Sequence, residues 1–292
     1  MFFLLAEMRY PYRPRRQKVS RRCRSPGSAH AHIGYFLNNF LRLLREPCGL
    51  EYSVQLRPGH ISDERKLYSF RPQDLGIRAR QKFIDRATSL GAPEAVLRAL
   101  DEQFDVASVL HIGSDEGAEF PHKVYLEFGQ RAMGGSADPV FIAYKWSSRP
   151  FCKGVITLYR SIGEVEPSGF ASTWSRYYDQ KQAAGEMALM VDLMGRIALA
   201  RPGLSFRGLA VTEEEQPRHS LDINLYPAQL RLGDIGPWLE DARATYRIAP
   251  SRWRWLDAPE KRLGHIAGGM DRRGNPFLSI YFGIEEYWPE ND

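Results

Sequence analysis

Cysteine is scarce in this 292-residue chain: Cys23, Cys48 and Cys152 stand far apart. Three thiols cannot all pair within one chain, and these form no ligand pattern. A disulfide framework and a zinc module are therefore not expected, and a reducing, cytoplasmic setting is. No apolar run approaches the roughly 20 residues that span a bilayer. The opening MFFLLAEM is apolar but short, and basic residues follow it rather than precede it, so no export signal is expected. His111, His122, His219 and His265 show no paired metal-ligand spacing, and no protein metal site is assigned. The Gly-containing stretches DRRGN and MGGSADP lack the Lys-Ser/Thr ending of a phosphate loop.

What remains is an ordinary soluble composition with one uneven feature. Hydrophobic residues make up 43% and charged residues 26%, enough for a sizeable core. The net charge of +5 is concentrated at one end. Residues 1–30 hold eight Lys/Arg against Glu7 alone, so they carry +7 and the rest of the chain −2. This basic stretch, RPRRQKVSRRCRSPGS, is Pro/Ser-rich without periodicity and reads as a disordered tail over 1–32. It is expected to be a solvated arm or an upstream extension rather than a nucleic-acid contact. Residues 33–288 are expected to form one domain.

Within that domain one unit recurs: a strand, a polar turn, and a strand of alternating polar and apolar residues. Ser108–Gly129, Ser205–Pro227 and Gly264–Gly283 show it most clearly; Leu50–Phe70 looks like a fourth, and PVFIAYKW with GVITLYRSI a fifth. Helical patterns lie between the hairpins. They are HIGYFLNNFLRLLRE, QDLGIRARQKFIDRATSLG, PEAVLRALDEQF, RYYDQKQAAGEMALMVDLMGRIALA and a stretch from about Pro237 to Tyr246. GQRAMGGSADP reads as a loop. The stripe Met187, Met190, Leu193 and Met194 reads as core packing.

About ten strands arriving in antiparallel pairs predict an α+β fold: a ten-stranded antiparallel barrel, closed so that no edge is exposed, with helices outside. Ten strands leave more room than eight, enough for a ligand. If the apolar strand faces meet helices, the polar faces line the lumen. Those faces are Glu51, Ser53, Gln55; Lys123, Tyr125, Glu127; and Asp222, Asn224, Tyr226.

This layout resembles the ABBA-fold prenyltransferases, and within them the cyanobactin-type peptide prenyltransferases. The resemblance rests on CGLEYSVQL with DERKLYSFRPQD, FDVASVLHIGSDEG, FPHKVYLEF, FRGLAVTEEEQPRHSLDINLY and GHIAGGMDRRGNPFLSIYFG. It implies transfer of a dimethylallyl group from its diphosphate to a side chain of a ribosomal, macrocyclic peptide, by a monomer. Mg²⁺ is implied as a diphosphate-neutralising ion held by few protein ligands. Glu51 falls on the family's acceptor-contacting glutamate and is the candidate base. Arg65 and Lys123 match diphosphate-binding positions. Where the family tends to show Tyr, His or Lys on later strands, this chain has Asp222, Asn224 and Tyr226, and Glu127 stands where a basic residue is common.

Prenyl transfer needs cations to stabilise the leaving diphosphate. Arg65, Lys123, Lys145, Arg160 and Arg207 are the candidates, with Tyr226 and Tyr281 as hydroxyl partners. It also needs aromatic faces around the allylic cation, for which Tyr68 and Tyr125 are candidates. Three inward carboxylates, Glu51, Glu127 and Asp222, are costly unless paired, which points to a cationic acceptor: Arg guanidinium ahead of Tyr or Trp. Pairing with Arg207 or Lys145 is the simpler alternative. The other readings are a small-molecule aromatic prenyltransferase on the same fold and a non-catalytic binding barrel.

Overall fold

The structure, a computed structural model, describes residues 47–115, 119–129, 138–149, 153–177, 184–214, 218–253 and 258–287. The basic tail, the helix expected from His32, Cys23, Cys152 and most of GQRAMGGSADP lie outside the described residues.

Ten antiparallel strands close into one barrel, each pairing with its neighbour in sequence and β1 with β10. They are β1 (Cys48–Arg57), β2 (His60–Phe70), β3 (Val109–Ser114), β4 (His122–Glu127) and β5 (Pro139–Trp146). Then come β6 (Val155–Val165), β7 (Phe206–Glu213), β8 (His219–Asn224), β9 (Leu263–Met270) and β10 (Pro276–Tyr287). The seam is regular: Leu56 faces Leu278 and Val54 faces Ile280 across β1 and β10. The hairpin turns all lie at one end of the barrel. Two of them show why they are tight. Gly59 takes φ +71° in the β1–β2 turn, where a side chain would be strained. In the β9–β10 turn, Asp271 Oδ1 accepts from the amides of Arg273 and Asn275.

Helices cover the outside. α1 (Ala79–Ser89) and α2 (Glu94–Gln103) sit between β2 and β3; α3 (Phe170–Tyr177) and α4 (Ala184–Ala200) between β6 and β7; α5 (Gly236–Thr245) between β8 and β9. The apolar strand faces meet them in two cores. Phe83, Leu100 and Phe104 pack on Leu110, Leu126 and Trp146. Met190, Leu193, Met194, Trp238 and Leu239 pack on Leu221, Ile223, Ile266 and Ile280. The methionine stripe is thus core. Gly268 is what lets α4 approach: a Cβ there would lie 2.7 Å from Met190 Sδ. The sequence reading has no counterpart for α3, whose Phe170 and Trp174 are fully buried. The helix is only eight residues long and starts directly after a turn at Pro167–Gly169, so its periodic signal is brief.

No helix among the described residues is long and apolar enough to cross a membrane.

Candidate functional site

With both helical layers on apolar strand faces, the opposite faces turn inward. The lumen they enclose opens at the hairpin end through a cavity of about 430 Å³. It narrows towards the other end into a chamber of about 70 Å³. Arg65, Lys123, Tyr125, Tyr159, Asp222 and Tyr281 line both and join them.

The mouth is basic. Lys123 Nζ donates to Asp115 Oδ2 at 2.7 Å, and Arg65 Nε stands 3.2 Å from the same oxygen. Across the lumen Glu213 Oε1 alone accepts from Lys145 Nζ at 3.3 Å, Arg218 Nη1 at 3.3 Å and Arg272 Nη2 at 3.1 Å. Two cations share one carboxylate and three share another, so the wall keeps an excess of positive charge. Arg218 Nε and Arg272 Nη1 are buried without a hydrogen-bond partner among the described residues. Buried orphan donors of this kind are rare in folded proteins and fit an anionic ligand. Burial lowers the Lys123 ammonium to about 8, against the pull of Asp115. Burial and then Arg218 lower Lys145, despite Glu213. Burial opposes the Asp115 carboxylate, but Lys123 and Arg65 outweigh it and hold Asp115 well below the usual carboxylate range.

Below the cations is an aromatic belt. Tyr125 and Tyr159 meet edge-to-face at 6.1 Å, and Phe141 meets Tyr159 at 5.9 Å. Tyr281 lies with its ring 6.0 Å from the Arg65 guanidinium carbon. Burial raises the hydroxyls of Tyr125, Tyr159 and Tyr281, so all three stay neutral at physiological pH.

The inner end carries carboxylates, each already engaged. Tyr226 Oη donates to Glu51 Oε1 at 2.6 Å. His265 Nδ1 bonds Asp222 Oδ1 at 3.0 Å, and His111 Nε2 bonds Glu127 Oε2 at 3.2 Å. Ser69 Oγ, 2.8 Å from His111 Nδ1, holds that ring from the other side. Burial raises Glu51, partly offset by His265 and then by the Tyr226 hydroxyl. Gly264 makes the Glu51–Tyr226 contact possible: a Cβ there would sit 2.6 Å from Tyr226 Oη and 2.7 Å from Glu51 Oε1. The acids therefore pair with histidines and a tyrosine, not with Arg207 or Lys145.

Of the residues singled out from sequence, Glu51, Arg65, Lys123, Tyr125, Lys145, Asp222 and Tyr281 line the lumen. Glu127 is buried against lumen-lining His111. Four fall elsewhere. Tyr68 is packed in the core under α1 and α2, edge-on to Tyr287 at 5.5 Å. Arg160 lies on the outer face, where its Nη1 donates to Thr212 at 3.2 Å; it is Tyr159 that faces inward. Arg207 sits exposed at the far rim, 3.8 Å from Glu164. Tyr226 follows β8 in a short turn and holds Glu51, away from the cationic wall. Sequence reasoning misses Arg218, Arg272 and Tyr159. Arg218 precedes β8 and Arg272 sits in a turn, so neither belongs to an alternating run. Tyr159 is hidden when β6 is read one residue out of phase.

Among the described residues no group of three or more His, Cys, Asp or Glu is placed to hold a metal ion. Asp115 and Glu213 Oε1 are engaged by Lys and Arg, and Glu213 Oε2, buried without a partner among the described residues, is a single oxygen, so the residues described at the mouth do not make a resident Mg²⁺ site.

No protein-family profile and no curated protein matches the sequence. Solved structures do match its shape. The 5-dimethylallyltryptophan synthase from Streptomyces coelicolor superimposes with a TM-score of 0.54 at 14% identity, covering 80% of each chain. The prenyltransferase PriB in its binary complex with product diphosphate superimposes with a TM-score of 0.56 at 13% identity, over 80% of this chain and 79% of that one. PriB bound to L-tryptophan and dimethylallyl thiolodiphosphate gives 0.54 at 12% identity, with the same coverage. The chain therefore has the fold of the ABBA, or PT-barrel, prenyltransferases.

Proposed function

We propose that this barrel is a prenyltransferase, moving an allylic group from its diphosphate to a nucleophilic side chain held at the inner end of the lumen. One observation carries the reading: a wall of Arg and Lys with buried, unpartnered guanidinium nitrogens stands directly over a belt of neutral tyrosines. The first would take diphosphate, stabilising it as the carbon–oxygen bond breaks. The second would face the allylic cation and exclude water. The PriB complexes with diphosphate and with a dimethylallyl analogue support this on the same fold.

Arg65, Lys123, Lys145, Arg218 and Arg272 are assigned to the diphosphate, with Tyr125, Tyr159 and Tyr281 to the cation. The protein's own cations supply the neutralising charge, so Mg²⁺ is not required. Glu51 would contact the acceptor. The inner end presents hydrogen-bond acceptors, which selects groups rich in N–H or O–H donors. An Arg guanidinium on a peptide satisfies this most fully, with five donors. Because each carboxylate already has a His or Tyr partner, an uncharged indole or phenol is the second reading, and the tryptophan-bound PriB structure favours it.

Mass spectrometry of the purified protein with dimethylallyl diphosphate tests this, using cyclic peptides bearing Arg, Tyr, Trp or Ser, and free tryptophan. Gain of a prenyl mass on the Arg peptide supports the first reading. Gain on Trp or Tyr alone supports the second. No gain with dimethylallyl or geranyl diphosphate overturns both.

A further inference from the structure

The inner chamber holds a buried histidine whose bonding is half complete. His265 lies on β9, is 7% exposed, and lines the roughly 70 Å³ chamber with Glu51 and Tyr281. Its Nδ1 is bonded to Asp222 Oδ1 at 3.0 Å. A carboxylate only accepts, so this bond places a proton on Nδ1; in the neutral imidazole, the form a general base starts from, Nε2 then carries the lone pair. Nε2 is buried and has no hydrogen-bond partner among the described residues. Edge-to-face contacts with Tyr226 at 5.5 Å and Tyr281 at 6.1 Å fix the ring from both sides. A basic nitrogen that is oriented, desolvated and unsatisfied calls for a ligand that donates a proton.

We propose that His265, oriented by Asp222, is the general base of the transfer, and that the chamber therefore admits nucleophiles bearing an N–H or O–H. This rests on the prenyl-transfer reading above. The step balances without any further reactant. The allylic carbon–oxygen bond breaks and its electron pair leaves with diphosphate. The acceptor atom forms the new bond to carbon, and its proton passes to His265 Nε2. The resulting imidazolium is stabilised by Asp222. Glu51, one oxygen of which is occupied by Tyr226, orients the acceptor instead of taking its proton.

The test separates donor ionisation from transfer, since ionisation needs no base. Scrambling of an isotope label between bridging and non-bridging oxygens of dimethylallyl diphosphate reports the first; prenylated acceptor reports the second. His265→Gln and Asp222→Asn should keep scrambling and lower transfer by about 10²–10⁴-fold. The amide introduced by Asp222→Asn can donate to Nδ1 and so force the proton onto Nε2, which makes that nearly isosteric variant informative even if His265→Gln does not fold. Imidazole should restore part of the activity of His265→Ala. Transfer within about threefold of wild type in His265→Gln and Asp222→Asn would overturn the assignment. So would parallel loss of scrambling and transfer. Wild-type protein that neither scrambles label nor transfers would overturn the prenyl-transfer reading itself.

Discussion

Arg218 illustrates how much of this site turns on single side chains. Its Nη1 shares Glu213 with Lys145 and Arg272, while its Nε has no partner among the described residues. A charge-assisted hydrogen bond contributes about 1.5–3 kcal/mol, so Arg218→Gln should weaken diphosphate binding by roughly 10–100-fold. Titration calorimetry with inorganic diphosphate measures this; unchanged affinity would remove Arg218 from the anion site. Lys123 gives a pH signature. Its folded-state pKa is lowered to about 8 from 10.5, so the buried ammonium costs stability while charged, and that cost is relieved as pH rises from about 8 towards 10.5. Affinity for diphosphate should move the opposite way, declining above about pH 8 as the positive charge is lost. Lys123→Arg, which stays charged, should flatten that decline. The residue scale is also where the sequence was least legible. Arg65 and Tyr68 are three apart on one strand and so cannot share its face; alternation alone contained the correction to Tyr68. A bulge between Ser161 and Gly163 breaks the register of β6 and β7, and nothing in GVITLYRSI announces which of Tyr159 and Arg160 turns inward.

The strands themselves were legible because each must satisfy helices on one side and lumen on the other, which enforces period two. Helix α3 was not, since eight residues after a turn carry too little period. At this scale glycines decide what can meet. Gly264→Ala should drive its methyl into Tyr226 Oη and Glu51 Oε1, both under 3 Å away, and separate that pair. The expected result is a lowered Tm with acceptor affinity lost and diphosphate affinity kept. Equal loss of both would show that β9 positions the whole barrel, not the inner end alone. Trp238 on α5 is fully buried, and its Nε1 donates to the Leu189 carbonyl on α4 at 2.8 Å. Trp238→Ala should cost about 3–5 kcal/mol in denaturant unfolding, with little change in kcat for the folded fraction.

Across the whole barrel, polarity runs along the axis: basic at the hairpin end, aromatic in the middle, acid and histidine at the inner end. That gradient would orient a donor with diphosphate towards the mouth and the allyl towards the acceptor. It arises from strands that alternate correctly while changing character along their length, as in β4, where Lys123, Tyr125 and Glu127 step from mouth to inner end. The barrel was readable in the sequence for this reason, and the axial gradient was not, because it depends on register among ten strands. Since Asp115 and Glu213 are neutralised by protein cations, transfer should proceed undiminished with excess EDTA, and strict Mg²⁺ dependence would show that this wall does not suffice. The most direct test is a single incubation of wild-type protein and the Arg218→Gln/Arg272→Gln double variant with dimethylallyl diphosphate and the acceptor panel, read by mass spectrometry. The account predicts a prenylated acceptor from wild type and a loss of at least about 100-fold in the double variant at sub-saturating donor. Absence of product from wild type, or equal product from both proteins, would contradict it.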